Sequence, residues 1–339
     1  MRKMTALRQR TRLRRTLGAF LILGLLLVAG AVLCAEAPPP APAPAPAPAA
    51  ITPAAAAAPA GAPSAKAVPG EATPVPRETL MAGLADVPQK SFDRAERLVQ
   101  LFKKTGMRNV TRQSIPMREA GGNVIGTLPG QTQEVILVGA HLDHATKGTG
   151  AIDDWTGVVC LVNLARALVG VSPHHTFVFV GFDLEERGHG GSRWYIEQMG
   201  PEQKRLIVAM VNLECLGIST PKVWLTGSAD ALEDLARTVA AKEKMPLEFR
   251  QLQGVSADSD PFMAAGIAAI TFDSLEESDF ELIDSPKDRP EAVRPDRFEE
   301  HYRLILKFLR ALDEHKGPIS PANKDRPAPG AKKDKGAGL

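Results

Sequence analysis

Four short segments concentrate side chains that bind metals and move protons: His141-Leu142-Asp143-His144, Gly150-Ala151-Ile152-Asp153-Asp154, Asp183-Leu184-Glu185-Glu186 and Asn212-Leu213-Glu214. Alone, each is weak: a His-x-Asp triplet or an acid pair is usually a solvated surface, and a single Glu often caps a helix. Their placement carries more. Residues 135–140 (VILVGA) run into the first segment, residues 176–182 (TFVFVGF) into the third, and residues 206–213 into the last. Continuous apolar runs of this length are expected of strands covered on both faces. In open α/β sheets, ligands bind beyond the carboxyl ends of such strands. Acids gathered at one sheet edge are tolerable only where cations neutralise them. Imidazole mixed with carboxylate suits zinc or a similar divalent ion.

The elements that must position these groups alternate. Residues 92–104 place Ala95, Leu98, Leu101 and Phe102 at helical spacing, with Gly106 just past the end. Further strands are expected at 223–226 and 268–272, and helices at 157–168, 192–199, 229–244 and 298–314. Strands alternating with helices predict an α/β domain of three layers, a mixed and mostly parallel sheet with helices on both faces.

The runs VGAHLDH, GAIDDWTGV, GFDLEERGHGGS and NLECLG, in that order within about residues 90–312, resemble the co-catalytic zinc aminopeptidase family. That family includes secreted bacterial leucyl aminopeptidases and, more distantly, glutaminyl cyclases and glutamate carboxypeptidases. The resemblance implies a zinc exopeptidase fold, two Zn2+ ions and a peptide substrate. It implies that His141 binds one ion, that Asp153 bridges both, and that the Asp153–Asp154 peptide is cis. Glu186 would bind the second ion and Glu214 would complete the first site. Glu185 would be the general base, and Asp143 would orient His141 through its other ring nitrogen. The chemistry is coherent: two metals ~3.5–4 Å apart share a water and lower its pKa. An adjacent Glu can take that water's proton and pass it to the leaving amine. A free α-amine can coordinate a metal, which would confine cleavage to the N-terminus.

Two positions depart from the family pattern. In Ile283-Asp284-Ser285-Pro286-Lys287-Asp288, Asp284 stands where relatives carry a His ligand. Asp284 is expected to bind the second metal through oxygen, a harder site that would suit Mn2+ or stand vacant. In Asp258-Ser259-Asp260-Pro261-Phe262, Ser259 stands where many relatives have His, near the expected substrate cleft. His144 and His189 could substitute for the missing ligand, although a polar loop role is the simpler reading. His174-His175 precede a strand and are expected to face away from the chemical edge, while His301 and His315 belong to the last helix. Two other functions remain open: a glutaminyl cyclase-type acyltransferase with one zinc, and a non-catalytic envelope binding module, suggested by Asp284. The Asp153-Asp154 pair and the retained Glu185 favour the hydrolase.

The chain has 339 residues and a formal charge of +2. Residues 2–15 carry seven Lys or Arg, and residues 17–33 are uncharged. Residues 1–36 therefore read as a signal peptide or N-terminal membrane anchor, placing the protein outside the cytoplasm, free or tethered. Residues 37–76 form a Pro/Ala-rich spacer that cannot bury a core. Residues 77–316 are the expected catalytic domain, and 317–339 a disordered basic tail. The basic surplus sits at the two ends, since residues 37–315 hold 28 basic and 36 acidic side chains, a net of −8. No basic face for nucleic acid is visible. Outside the export segment only Cys160 and Cys215 remain, both in apolar stretches, and they read as buried thiols. No serine-hydrolase elbow, phosphate loop or dinucleotide fingerprint occurs.

Overall fold

The computed structural model describes residues 72–323 apart from 146, 253 and 284. The expected export segment, nearly all of the Pro/Ala-rich spacer, the end of the basic tail and Asp284 thus lie outside the described residues. The strands are β1 (Asn109–Gln113), β2 (Asn123–Leu128), β3 (Val135–His141), β4 (Thr176–Phe182), β5 (Ile207–Leu213), β6 (Lys222–Trp224), β7 (Glu248–Arg250) and β8 (Ala269–Asp273). The α-helices are α1 (Arg77–Gly83), α2 (Ser91–Lys104), α3 (Thr156–Leu168), α4 (Gly190–Glu197), α5 (Pro201–Arg205), α6 (Asp230–Glu243), α7 (Ser259–Ala264) and α8 (Pro295–Asp313).

One eight-stranded sheet has the order β1-β2-β4-β3-β5-β8-β6-β7. The central pairs β4/β3, β3/β5 and β5/β8 are parallel, as is β6/β7. The pairs β1/β2, β2/β4 and β8/β6 are antiparallel. This is the mixed, mostly parallel sheet expected. Alternation of side chains explains why its central strands read as unbroken apolar runs. Ile136, Val138, Phe177 and Phe179 enter the core shared with α1, α2, α3 and α8. Leu137, Val178, Val180 and Phe182 enter a second core with Tyr195 and Ile196 of α4 and Phe262 of α7. Every residue of α3 except Arg166 is buried, as suits a helix apolar all round its circumference.

Three features differ from the sequence reading. β1 and β2 form an antiparallel pair at one edge, where β1 buries only Gln113. The expected strand at 223–226 is shorter, because Ser228 Oγ donates to Trp224 O and the chain turns through Leu225–Gly227. A strand at 248–250 closes the other edge. Cys160 and Cys215 are free and buried, as expected.

The register matters most for function. β3 and β4 run in parallel from Val135↔Thr176 to His141↔Phe182, so the segments after them emerge side by side. β5 lies on the other flank of β3 and ends at Leu213, with Glu214 next.

Candidate metal centre and cleft

His141 ends β3 and is 1% exposed. Its Nε2 lies 2.8 Å from Asp153 Oδ1 and 3.4 Å from Glu214 Oε1. Asn212 Nδ2 donates to the other Glu214 oxygen at 3.1 Å, leaving Oε1 turned to the imidazole. The ligand atoms of His141, Asp153 and Glu214 all lie within 4.8 Å of one another. One imidazole and two carboxylates at this spacing form a donor set that fits Zn2+.

The electrostatics agree with that fit. Burial would lower the His141 pKa, but the nearby carboxylates of Asp143, Asp153 and Glu214 outweigh it and hold the ring well above its ordinary 6.5. Burial raises Glu214, His141 opposes this, and the charges of Glu185 and Asp153 push it further up. Asp154 is raised well above 3.8, first by burial and then by Glu214 and Asp153, against the pull of His141. A protein holding acids this close without a cation must bind protons in its place.

Asp143 meets His141 mainly through its main chain. The His141 Nδ1 contact is the main-chain carbonyl of Asp143 at 3.0 Å, with the Asp143 carboxylate at 3.7 Å. That carboxylate instead accepts the backbone N–H groups of Glu185 (2.8 Å) and Glu186 (3.2 Å). Asp143 therefore fixes the turn that carries the expected base. Burial would raise its pKa, but His141 and these two N–H donors keep it low.

Asp154 is fully buried and ties three elements together. Its carboxylate accepts from the N–H groups of His141 (3.1 Å), Gly157 (3.2 Å) and Cys215 (3.0 Å). The Asp153–Asp154 peptide bond is cis. Leu184 beside Glu185, His189 beyond it, and Cys215 after Glu214 all adopt positive φ without being glycine. Left-handed backbone at non-glycine residues costs of order 1 kcal/mol or more each and gathers at functional sites.

Sequence reasoning missed one residue here. Arg94 on α2 is completely buried and donates to the carbonyls of Pro88, Leu142, Thr149 and Gly150 at 2.6–3.1 Å. It clamps the loops that carry Asp143 and Asp153. Burial pulls its pKa down to about 10, against four neighbouring acids, so it stays charged at neutral pH. Gly150 (φ 59°) packs on it so closely that a Cβ would collide with Arg94 and His144. An Arg on an amphipathic helix gives no sign of this in the sequence. His189, which the sequence offers as a substitute ligand or a loop histidine, places its Nε2 3.3 Å from Glu185 Oε1. His144 bonds the carbonyl of Gln89 instead.

Glu186 is exposed, and its carboxylate is not among the three converging groups. Asp284 lies outside the described residues, although Ile283 beside it lines the cleft. Ser259 is buried and hydrogen-bonds Thr271 Oγ1 at 2.8 Å. Asp258, hydrogen-bonded by Ser192, has its pKa pushed up to about 8 by burial and by the charge of Glu185.

Asp153, Glu185 and Glu214 form the acidic end of a cleft of ≈ 120 Å³. Trp224, Leu252, Val255, Leu275, Phe280 and Ile283 supply apolar walls.

A layered α/β sheet with imidazole and carboxylates at its carboxyl edge has the layout of a metallopeptidase. The chain belongs to peptidase family M28, whose model matches residues 123–309. It is 28% identical over 196 residues to aminopeptidase YwaD of Bacillus subtilis, covering 55% of this chain and 43% of that one. The solved zinc aminopeptidase of B. subtilis has a TM-score of 0.53 at 25% identity, over 60% of this chain and 53% of that one. The glutaminyl cyclase of Porphyromonas gingivalis has a TM-score of 0.57 at 16% identity, over 69% of this chain and 97% of that one, a likeness of fold alone. The chain spans about half or less of these two B. subtilis aminopeptidases.

Proposed function

We propose that this protein is a metal-dependent aminopeptidase that releases N-terminal residues from peptides. The observation that carries the reading is the convergence of His141, Asp153 and Glu214 in the cleft that also holds Glu185. His141, Asp153 and Glu214 would hold one Zn2+. Asp153 with Glu186 and Asp284 would hold a second ion, zinc or manganese, and Asp284 in place of His makes that site the weaker one. A divalent ion bound here supplies a Lewis acid for the scissile carbonyl and acidifies water.

The chain's own groups do the rest. Glu185 accepts the proton of the attacking water on its carboxylate and delivers it to the departing amine. Asp143 holds the main chain of Glu185 in place, and His189 Nε2 holds its carboxylate from the other side. The acidic end attracts the substrate's α-ammonium group, and the apolar walls receive the first side chain.

We further infer that residues 1–36 direct export, with the Pro/Ala-rich spacer holding the catalytic domain of residues 77–316 clear of a membrane or cleavage site. Among the described residues no helix is long and apolar enough to cross a membrane.

A panel of aminoacyl chromogenic substrates, assayed with metal content per chain, tests the activity. Free amino acid release that stops on chelation and returns with zinc is the expected result. Ammonia release from a Gln-initiated peptide, without amino acid release, would replace this reading by the cyclase. A protein that binds no divalent ion would replace it by the binding module.

A further inference from the structure

At the opposite end of the same two strands lies a second cluster of metal-binding side chains. Glu134, just before β3, and His174 and His175, just before β4, each offer one ligand atom, all within 4.8 Å of one another. We propose that these three residues form a separate binding site for a divalent first-row transition ion such as Zn2+.

The backbone explains how adjacent histidines come to share a site. In an extended strand, neighbouring side chains point to opposite faces. Here the dipeptide forms a bend before β4, and the two rings stand 4.8 Å apart at 88°. The bend is pinned from both sides. The Asp313 carboxylate, at the end of α8, accepts from the N–H groups of His174 (3.0 Å) and His175 (2.8 Å). The His174 carbonyl accepts from Thr132 N at 2.9 Å and Thr132 Oγ1 at 3.1 Å. Little backbone freedom remains to be lost on binding.

His175 supplies the deciding observation. Its side chain is completely buried. Its Nδ1 lies 3.1 Å from the Asp313 carbonyl and 3.3 Å from Asp313 Oδ1, two acceptors, which assigns the ring proton to Nδ1. Nε2 then presents a lone pair. It is shielded from water and has no hydrogen-bond partner. The nearest charged atom is Glu134 Oε2 at 3.8 Å, itself an acceptor. Two acceptors facing each other with no donor between them are satisfied by a cation. A carboxylate behind the imidazole is the arrangement that fixes tautomer and ring direction in metal-ligating histidines.

The donor set sets the class of ion. Two imidazoles and one carboxylate suit Zn2+, Ni2+ or Cu2+, whereas Ca2+ and Mg2+ prefer oxygen donors. The Glu134 side chain is 46% exposed, so an ion and a completing water have access. β3 and β4 separate this site from His141 by their full seven-residue pairing, about 20 Å at the rise of a strand. The ion therefore takes no part in the cleft. It cross-links the segments leading into the two central strands, and Asp313 joins α8 to them.

The test uses the full chain. In an Asp153→Asn/Glu214→Gln variant, which dismantles the cleft cluster, zinc bound per chain is measured after equilibrium dialysis. One equivalent should remain, and adding Glu134→Gln and His174→Gln should remove it. In the otherwise wild-type chain, Glu134→Gln/His174→Gln should lower zinc by one equivalent and leave peptide hydrolysis unchanged. Both substitutions spare the Asp313 clamp and alter side chains that are not fully buried. Copper(II) bound to the cleft-disabled variant should show two nitrogen ligands by electron paramagnetic resonance. Unchanged zinc stoichiometry on Glu134→Gln/His174→Gln overturns the proposal.

Discussion

β3 and β4 carry an imidazole cluster at each end, and the two differ in what surrounds the ring. At the carboxyl end, His141 meets three carboxyl groups, and four more acids, Asp154, Glu185, Asp258 and Asp288, crowd the same region. At the amino end, His175 meets Asp313 and Glu134, and Asp313 accepts the backbone N–H groups of both His174 and His175. The first end stores unfavourable electrostatics and left-handed backbone in an open cleft. The second spends its acids on holding the chain. Strand direction explains the division: parallel strands deliver their loops, and hence their adjustable side chains, to the carboxyl edge.

The sharpest break between the two ends is predicted for turnover. Glu185→Gln should lower kcat by ~10²–10⁴-fold, the usual worth of a positioned general base, while bound metal stays unchanged. Glu134→Gln at the other end should leave kcat alone. Steady-state kinetics with metal analysis on both variants decides. Normal turnover in Glu185→Gln would remove the base from the account.

A third buried imidazole sharpens the comparison because it lacks carboxylate partners. His301 on α8 faces only carbonyls, of Arg297 at 2.7 Å and Asp273 at 3.1 Å. Burial pulls its pKa from the ordinary 6.5 down to about 4. The same burial acts on His141, where the acids reverse it. Between pH 6.5 and 4 the unfolded chain binds the proton that folded His301 refuses. The stability contribution is therefore complete above pH 6.5 and is lost as pH falls toward 4. The shift corresponds to roughly 3 kcal/mol at most. Urea unfolding of the metal-free chain across this window should show a steeper loss for wild type than for His301→Gln. Equal slopes would show that His301 does not titrate as its surroundings require.

What the sequence made legible follows the same division. β3, β4 and β5 are covered on both faces, so their composition alone marks them, and the converging His141 and Glu214 at the ends of β3 and β5 could be found by position. β1, with the sequence NVTRQ and one buried residue, carries no such mark. It is held by pairing with β2, and Asn109 at its start offers only a chance glycosylation sequon. Arg94 was invisible because its guanidinium is satisfied by carbonyls brought together only by folding. The Glu134–His174–His175 cluster was hidden for a related reason. Its residues are separated by the whole of β3 and α3, and only parallel pairing of β3 with β4 brings their starting ends together.

The clamp at the amino end should have a measurable worth. Asp313→Ala strands the N–H groups of His174 and His175, and an unsatisfied buried donor costs about 1–3 kcal/mol. Chemical denaturation should show a loss of about 2 kcal/mol or more for the two donors, with kcat unchanged. No loss of stability would mean that the His174-His175 bend is held by Thr132 alone.

The smallest effect is the most diagnostic, because it changes sign with metal. In the metal-free chain, Glu214 is a carboxyl group that burial and the charges of Glu185 and Asp153 oppose. Glu214→Gln keeps an acceptor for Asn212 and removes that opposition, so the apo variant should be more stable than the apo wild type. Adding zinc should reverse the order. A ligand present at a hundredfold its Kd stabilises the folded state by about 2.7 kcal/mol, and wild type should gain this while the variant gains much less at the cleft. Thermal unfolding with chelator and then with zinc measures both. If Glu214→Gln destabilises the apo chain, the acids at the carboxyl edge are not in conflict without metal, and the electrostatic case for a cation there fails.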